Sequence, residues 1–135
     1  MAHLATHASA IAGVQAMHEQ HGILVESLSA IRQQLKCGQS GSKLTEQIAR
    51  LIEFTHMHFG CEESLLIRCA FPGLDEHRKA HRRLIIQMKL AEHGAEHGDR
   101  VELERVLSAV RGQYLEHVEG LDQVYSDWLN AHGID

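Results

Sequence analysis

The chain has 135 residues, 44% hydrophobic and 23% charged, which is the make-up of one globular domain without room for a second. A net charge of -5 and a pI near 6.2 exclude a nucleic-acid-binding surface, which needs a clustered excess of Lys and Arg. No apolar tract is long enough for a membrane span, the first residues lack the basic start of a signal peptide, and three cysteines (Cys37, Cys61, Cys69) show no repeated ligand spacing, so a cytoplasmic protein with reduced thiols is expected.

One Pro and six aromatic residues point to helices over a β-sandwich. After a short N-terminal arm over residues 1–8, apolar spacing predicts a helix from about Ser9 to Lys36 with Val14, Met17, His21, Leu24, Leu28, Ile31 and Leu35 on its inner stripe. CGQSGS supplies a turn, and a second helix over about Ser42–Ala70 carries Leu44, Ile48, Leu51, Thr55, His58, Glu62, Leu65 and Cys69. Pro72 and Gly73 break the chain before a third helix, about Leu74–His93, with Leu74, His77, His81, Leu84, Met88 and Ala91 in its stripe. The polar stretch HGAEHGD reads as a long loop, and a fourth helix from about Asp99 to Ala131 carries Leu103, Val106, Val110, His117, Leu121, Val124 and Trp128. The expected fold is therefore all-α, an antiparallel up-down-up-down four-helix bundle. His117 and Asp122 do not fit simple periodicity, because five residues turn an ideal helix by about 140°. Both reach one site only if the helix distorts or they approach it from different sides.

Five histidines and one carboxylate thus fall on core-facing stripes, His21, His58, Glu62, His77, His81 and His117, and Asp122 joins them if the fourth helix distorts or it approaches from another side. A single buried imidazole is an ordinary core residue bonded to a carbonyl. Seven such groups in one seam are different, because two buried carboxylates repel and need cations among them. Mixed imidazole and carboxylate ligands suit iron better than calcium or magnesium, while zinc stays open on ligand chemistry alone.

The segments EQH (Glu19 to His21), HFGCEE (His58 to Glu63), HRKAH (His77 to His81) and HVEGLD (His117 to Asp122) resemble the hemerythrin pattern of H, HFxxEE, HxxxH and HxxxxD, over nearly the whole stretch from Met17 to Tyr125. The resemblance implies two iron ions (Fe2+/Fe3+) with an oxo or hydroxo bridge in the bundle core. It assigns one iron to His77, His81 and His117 and the other to His21 and His58, with Glu62 and Asp122 bridging, and it implies that O2 or a small anion binds at the iron with only two histidines. The corresponding ligand pocket maps to Leu24, Phe59, Gln113, Tyr114 and Val118. Gln113 and Tyr114 replace the family's usual Trp and Leu, which predicts a more polar pocket and quicker autoxidation.

The implied function is reversible O2 binding for storage, delivery or buffering, with no catalytic residue and no nucleic-acid or membrane partner. The alternatives are a redox sensor acting through a separate protein partner and an enzyme acting on peroxide or nitric oxide. His18, His56, His93, His97 and His132 are expected outside the site, and the ExxH pair of Glu53 and His56 lacks the second copy that a ferritin-like centre needs. Glu63 is expected to face solvent, Cys61 to be a small packed thiol, and Tyr125 to pack near the site.

Overall fold

A computed structural model describes residues 2–39 and 41–133, with side chains from residue 15 onward. The expectations for Val14 as a side chain and for Ser40 fall outside the described residues. The elements are α1 (Ala2–Lys36), α2 (Ser42–Arg68), α3 (Leu74–Glu96), α4 (Arg100–His117), a π-helical turn (Val118–Asp122) and α5 (Gln123–Ala131). α1 packs on α2 and α4, and α3 packs on the same two. Since short links join consecutive neighbours, the arrangement is the antiparallel four-helix bundle. No strand occurs among the described residues, and no helix there is long and apolar enough to cross a membrane.

Three helix ends share one hydrogen-bonding scheme. After α1, α2 and α3 the chain turns through a residue with positive φ, Gly38 (91°), Ala70 (57°) and Gly98 (70°). The next amide then reaches back to the last turn: Gln39 N to Gln34 O at 2.9 Å, Phe71 N to Leu66 O at 2.9 Å, Asp99 N to Gly94 O at 3.2 Å. These are Schellman closures, and Phe71 completes the second by burying its ring beside Leu66. The end of α2 is thus set by Ala70 and the burial of Phe71, with Pro72 only following it. The Arg100 guanidinium crosses from α4 to donate to Leu35 O (2.6 Å) and Gln39 O (3.4 Å), satisfying carbonyls at the end of α1.

Two sequence expectations change here. α1 begins at Ala2, ahead of Ser9. The long loop before α4 is absent, because α3 continues through Glu96 and only His97 to Asp99 separate it from α4. The extension packs on α4: Gly94 and Ala95 are buried, and a Cβ at Gly94 would sit in ordinary contact with Leu103, 3.7 Å from its Cα. Asp99 then caps α4 by accepting from Glu102 N at 3.0 Å.

The apolar interior has two parts. The larger runs from Leu24, Leu28 and Leu44 to Leu107, Val110 and Tyr114. The smaller, at the opposite end, gathers Met17, Leu65, Leu66, Phe71, Tyr125 and Leu129. The polar residues of the stripes lie between them.

Ala70 is exposed and holds a left-handed conformation that costs an L-residue about 1 kcal/mol and glycine almost nothing. Ala70→Gly is therefore expected to raise stability by roughly 0.5–1 kcal/mol in urea unfolding; a loss of stability would contradict this account of the α2 end.

Candidate metal centre

Each helix delivers its polar residues to the same depth. His21 comes from α1, His58 and Glu62 from α2 one turn apart, His77 and His81 from α3 one turn apart, and His117 from the end of α4. Asp122 joins them because Val118–Asp122 forms a π-helical turn, whose wider winding absorbs one residue. Five α-helical steps would leave Asp122 about 140° from His117; with one absorbed the offset falls to about 40°. Of the two ways in which the sequence could place this pair, local distortion is the one the structure uses.

The seven groups are buried, with exposures of 0% for His58, Glu62 and His77 and 7% at most, for His21. Each carboxylate divides its oxygens between two sets of imidazoles. Glu62 Oε1 lies 2.5 Å from His77 Nε2, 2.9 Å from His81 Nε2 and 3.9 Å from His117 Nε2. Its Oε2 lies 3.2 Å from His21 Nε2 and 3.6 Å from His58 Nε2. Asp122 repeats the division, with Oδ1 at 3.0 Å from both His77 and His117 Nε2 and Oδ2 at 3.1 Å from His21 Nε2.

Several of these atoms approach closely yet at angles unsuited to hydrogen bonding. His58 Nε2, His117 Nε2 and both Asp122 oxygens are buried without a hydrogen-bond partner among the described residues. Such atoms are costly in an apolar interior. A cation accounts for them: cis ligands on a six-coordinate ion with bonds of about 2.1 Å sit roughly 3.0 Å apart. Two overlapping groups have ligand atoms within 4.8 Å of one another, Glu62, His77, His81, His117 and Asp122 in one, His21, His58 and Glu62 in the other. The donor set of imidazole nitrogens and shared carboxylates fits transition-metal ions.

A ring of further residues fixes the orientation of these side chains. His81 Nδ1 donates to Glu63 Oε2 at 2.8 Å, and Glu63 Oε1 accepts from Arg78 Nε at 3.2 Å. Glu63 is therefore not a solvent-facing charge, as expected from the sequence, but the carboxylate behind a site histidine. On the other side His58 Nδ1 donates to Gln20 Oε1 at 2.8 Å, a role nothing in the helical stripe revealed, since Gln20 only borders it. The Tyr125 hydroxyl donates to Glu62 Oε2 at 3.3 Å.

Four of the five pocket candidates lie at the site or the larger apolar core beside it. Leu24 is fully buried, Phe59 stacks on His81 with ring centroids 3.7 Å apart, Tyr114 is buried against His21 and His117, and Val118 is half-buried. Gln113 is exposed, turned about 100° from the core-facing Tyr114 on the helix, and lines a surface cavity between α3 and α4 that also reaches His117. His18, Glu53, His56, His93, His97 and His132 are exposed, and so is Cys61, which the sequence had suggested as a packed thiol.

Electrostatically, burial alone would disfavour protons on His21 and His77, yet contacts with Asp122 and Glu62 outweigh it and raise both pKa values to about 9. Burial dominates at His58, over the opposing pull of Glu62, and lowers it to about 4. Glu62 and Asp122 resist the upward push of burial because the surrounding imidazoles hold them well below the usual carboxylate range. With no cation bound, protons on His21 and His77 neutralise the two carboxylates. A histidine pKa raised on folding stabilises fully below pH 6.5, progressively less towards pH 9, and not at all above it. The metal-free chain is therefore expected to lose several kcal/mol of stability between about pH 6.5 and 9.5 in urea unfolding. A flat profile over that range would refute proton sharing at the site.

Comparison with known proteins agrees with this geometry. The sequence profile of the hemerythrin HHE cation binding domain matches residues 12–129. A protein of Stenotrophomonas maltophilia (strain R551-3) named bacteriohemerythrin is 25% identical over 121 residues, which span 89% of this chain and 77% of that protein. No solved structure matches. With the matched profile running from α1 into α5 and enclosing the whole buried cluster, the chain belongs to the hemerythrin family.

Proposed function

We propose that this protein binds O2 reversibly at a di-iron centre, serving oxygen storage, delivery or buffering in the cytoplasm. In this reading His77, His81 and His117 hold one iron, His21 and His58 hold the other, and Glu62 and Asp122 bridge them. The observation that supports it most is the division of each carboxylate, one oxygen towards each set of imidazoles. Two ions linked by an oxo or hydroxo bridge would supply the electrons and, with seven protein ligands between them, one open position for O2 or a small anion.

The remaining residues explain why such a site would work in this bundle. Apolar clusters on both sides exclude water from it. That exclusion strengthens every charge interaction inside. Glu63 and Gln20 hold the rings of His81 and His58 in one rotation, with the Nε2 atoms aimed inward. Tyr125 steadies Glu62 from the side of the smaller cluster.

Iron-loaded protein is expected to contain two irons per chain. After anaerobic reduction it should gain a visible absorption band on mixing with O2 and lose that band under inert gas, with the reduced protein regained. Immediate, irreversible oxidation would overturn the carrier reading. His117→Leu should lose iron and stability together, since metal binding and folding are linked, and retention of both irons with an unchanged spectrum would remove His117 from the ligand set. Glu63→Gln should keep the fold but weaken metal affinity about 10-fold; unchanged affinity in a chelator competition would make Glu63 a bystander.

A further inference from the structure

The two tyrosines of this chain approach the buried cluster from its two sides, and among the described residues only one has a hydrogen-bond partner. Tyr125, in the smaller apolar cluster, gives its hydroxyl to Glu62. Tyr114, on the side of the larger cluster, is 2% exposed, and its hydroxyl is buried without a hydrogen-bond partner among the described residues. Buried polar groups are nearly always paired, and an unpaired one is costly. Phenylalanine would fill the same space without that cost, so the hydroxyl needs another explanation.

Its position supplies one. Tyr114 lies on α4 three residues before His117, and the two rings stack at 6.4 Å between centroids. It also meets the ring of His21, from the opposite set of imidazoles, in a T-shaped arrangement with centroids 6.1 Å apart. It therefore stands across the two halves of the cluster. Nearby in the same apolar wall are Leu24, one turn past His21, and Phe59, next to His58, neither of which can donate a hydrogen bond. A phenol keeps its proton at neutral pH, so this buried hydroxyl gains only by donating it into a hydrogen bond.

We propose that Tyr114 is the hydrogen-bond donor to a small anionic ligand at the open position of the centre, and that it biases the site towards compact anions whose charge is concentrated on the acceptor atom. This rests on the di-iron reading above. A hydrogen bond to a charged acceptor is among the stronger kinds, shorter than a neutral one and sensitive to charge density. The site thus selects by acceptor strength and not by size alone.

The test compares wild-type protein with Tyr114→Phe, both iron-loaded and oxidised, titrated with fluoride, azide and thiocyanate by visible absorption. Iron content is measured in parallel, with the Tm of each metal-free chain. The expected result is an azide Kd raised about 10-fold or more in the variant, a larger loss for fluoride, a smaller one for thiocyanate, and a metal-free Tm equal to or above wild type. Equal affinities for all three anions would overturn the proposal while leaving the open position intact. A uniform loss across them, a variant that no longer holds iron, or a lowered metal-free Tm would also overturn it, because each marks a packing role for the hydroxyl. Wild-type protein that holds two irons yet responds to no anion would refute the open position itself.

Discussion

Two carboxylates buried in the middle of a small helical bundle set the terms for everything around them. Glu62 and Asp122 are at most 3% exposed. Isolated, each would be strongly disfavoured there, and together they repel. The chain answers with imidazoles from all four long helices, which can carry protons when nothing else neutralises the pair and turn lone pairs inward when a cation does. The helices are therefore tied to one another through the cluster as well as through apolar packing. The same fact explains the division of the core, since a polar layer crosses the bundle and leaves separate apolar clusters on either side.

The π-helical turn is the local cost of that arrangement. α4 must satisfy two demands: His117 has to point inward, and so does Asp122, five residues later. A regular helix cannot meet both. Widening one turn over Val118–Asp122 brings the carboxylate onto the inner face and keeps Tyr125 and Leu129 pointing into the smaller cluster. Bulges of this kind are uncommon and concentrate at functional positions, which is where this one lies.

Much of the fold was legible because helical periodicity is a strong signal in amphipathic segments. The core-facing positions of α2 and α3 read directly from three- and four-residue steps, histidines included. Boundaries were harder where two principles compete. HGAEHGD has loop composition, but burial of Gly94 and Ala95 against α4 overrides that preference and keeps α3 helical to Glu96. The cluster itself was legible as a set of residue types on inward stripes. Its supporting ring was less so. Gln20 sits beside the stripe and Glu63 beside Glu62, and whether such a residue folds over a neighbouring helix depends on side-chain reach, which spacing along one helix does not encode. Gln113 and Tyr114 show the same limit from the other direction: adjacent in sequence, they end on opposite sides of the boundary between solvent and core.

The supporting ring also makes the two halves of the cluster unequal. Behind His81 stands a carboxylate, itself held by Arg78; behind His58 stands the neutral amide of Gln20. A full negative charge on the outer nitrogen pulls its proton outward and leaves the inner nitrogen richer in electron density, whereas an amide oxygen does so only weakly. Two imidazoles of identical chemistry thus become donors of different strength. The centre is polarised from the outside, by side chains that never touch its interior, with His81 on α3 the stronger donor and His58 on α2 the weaker.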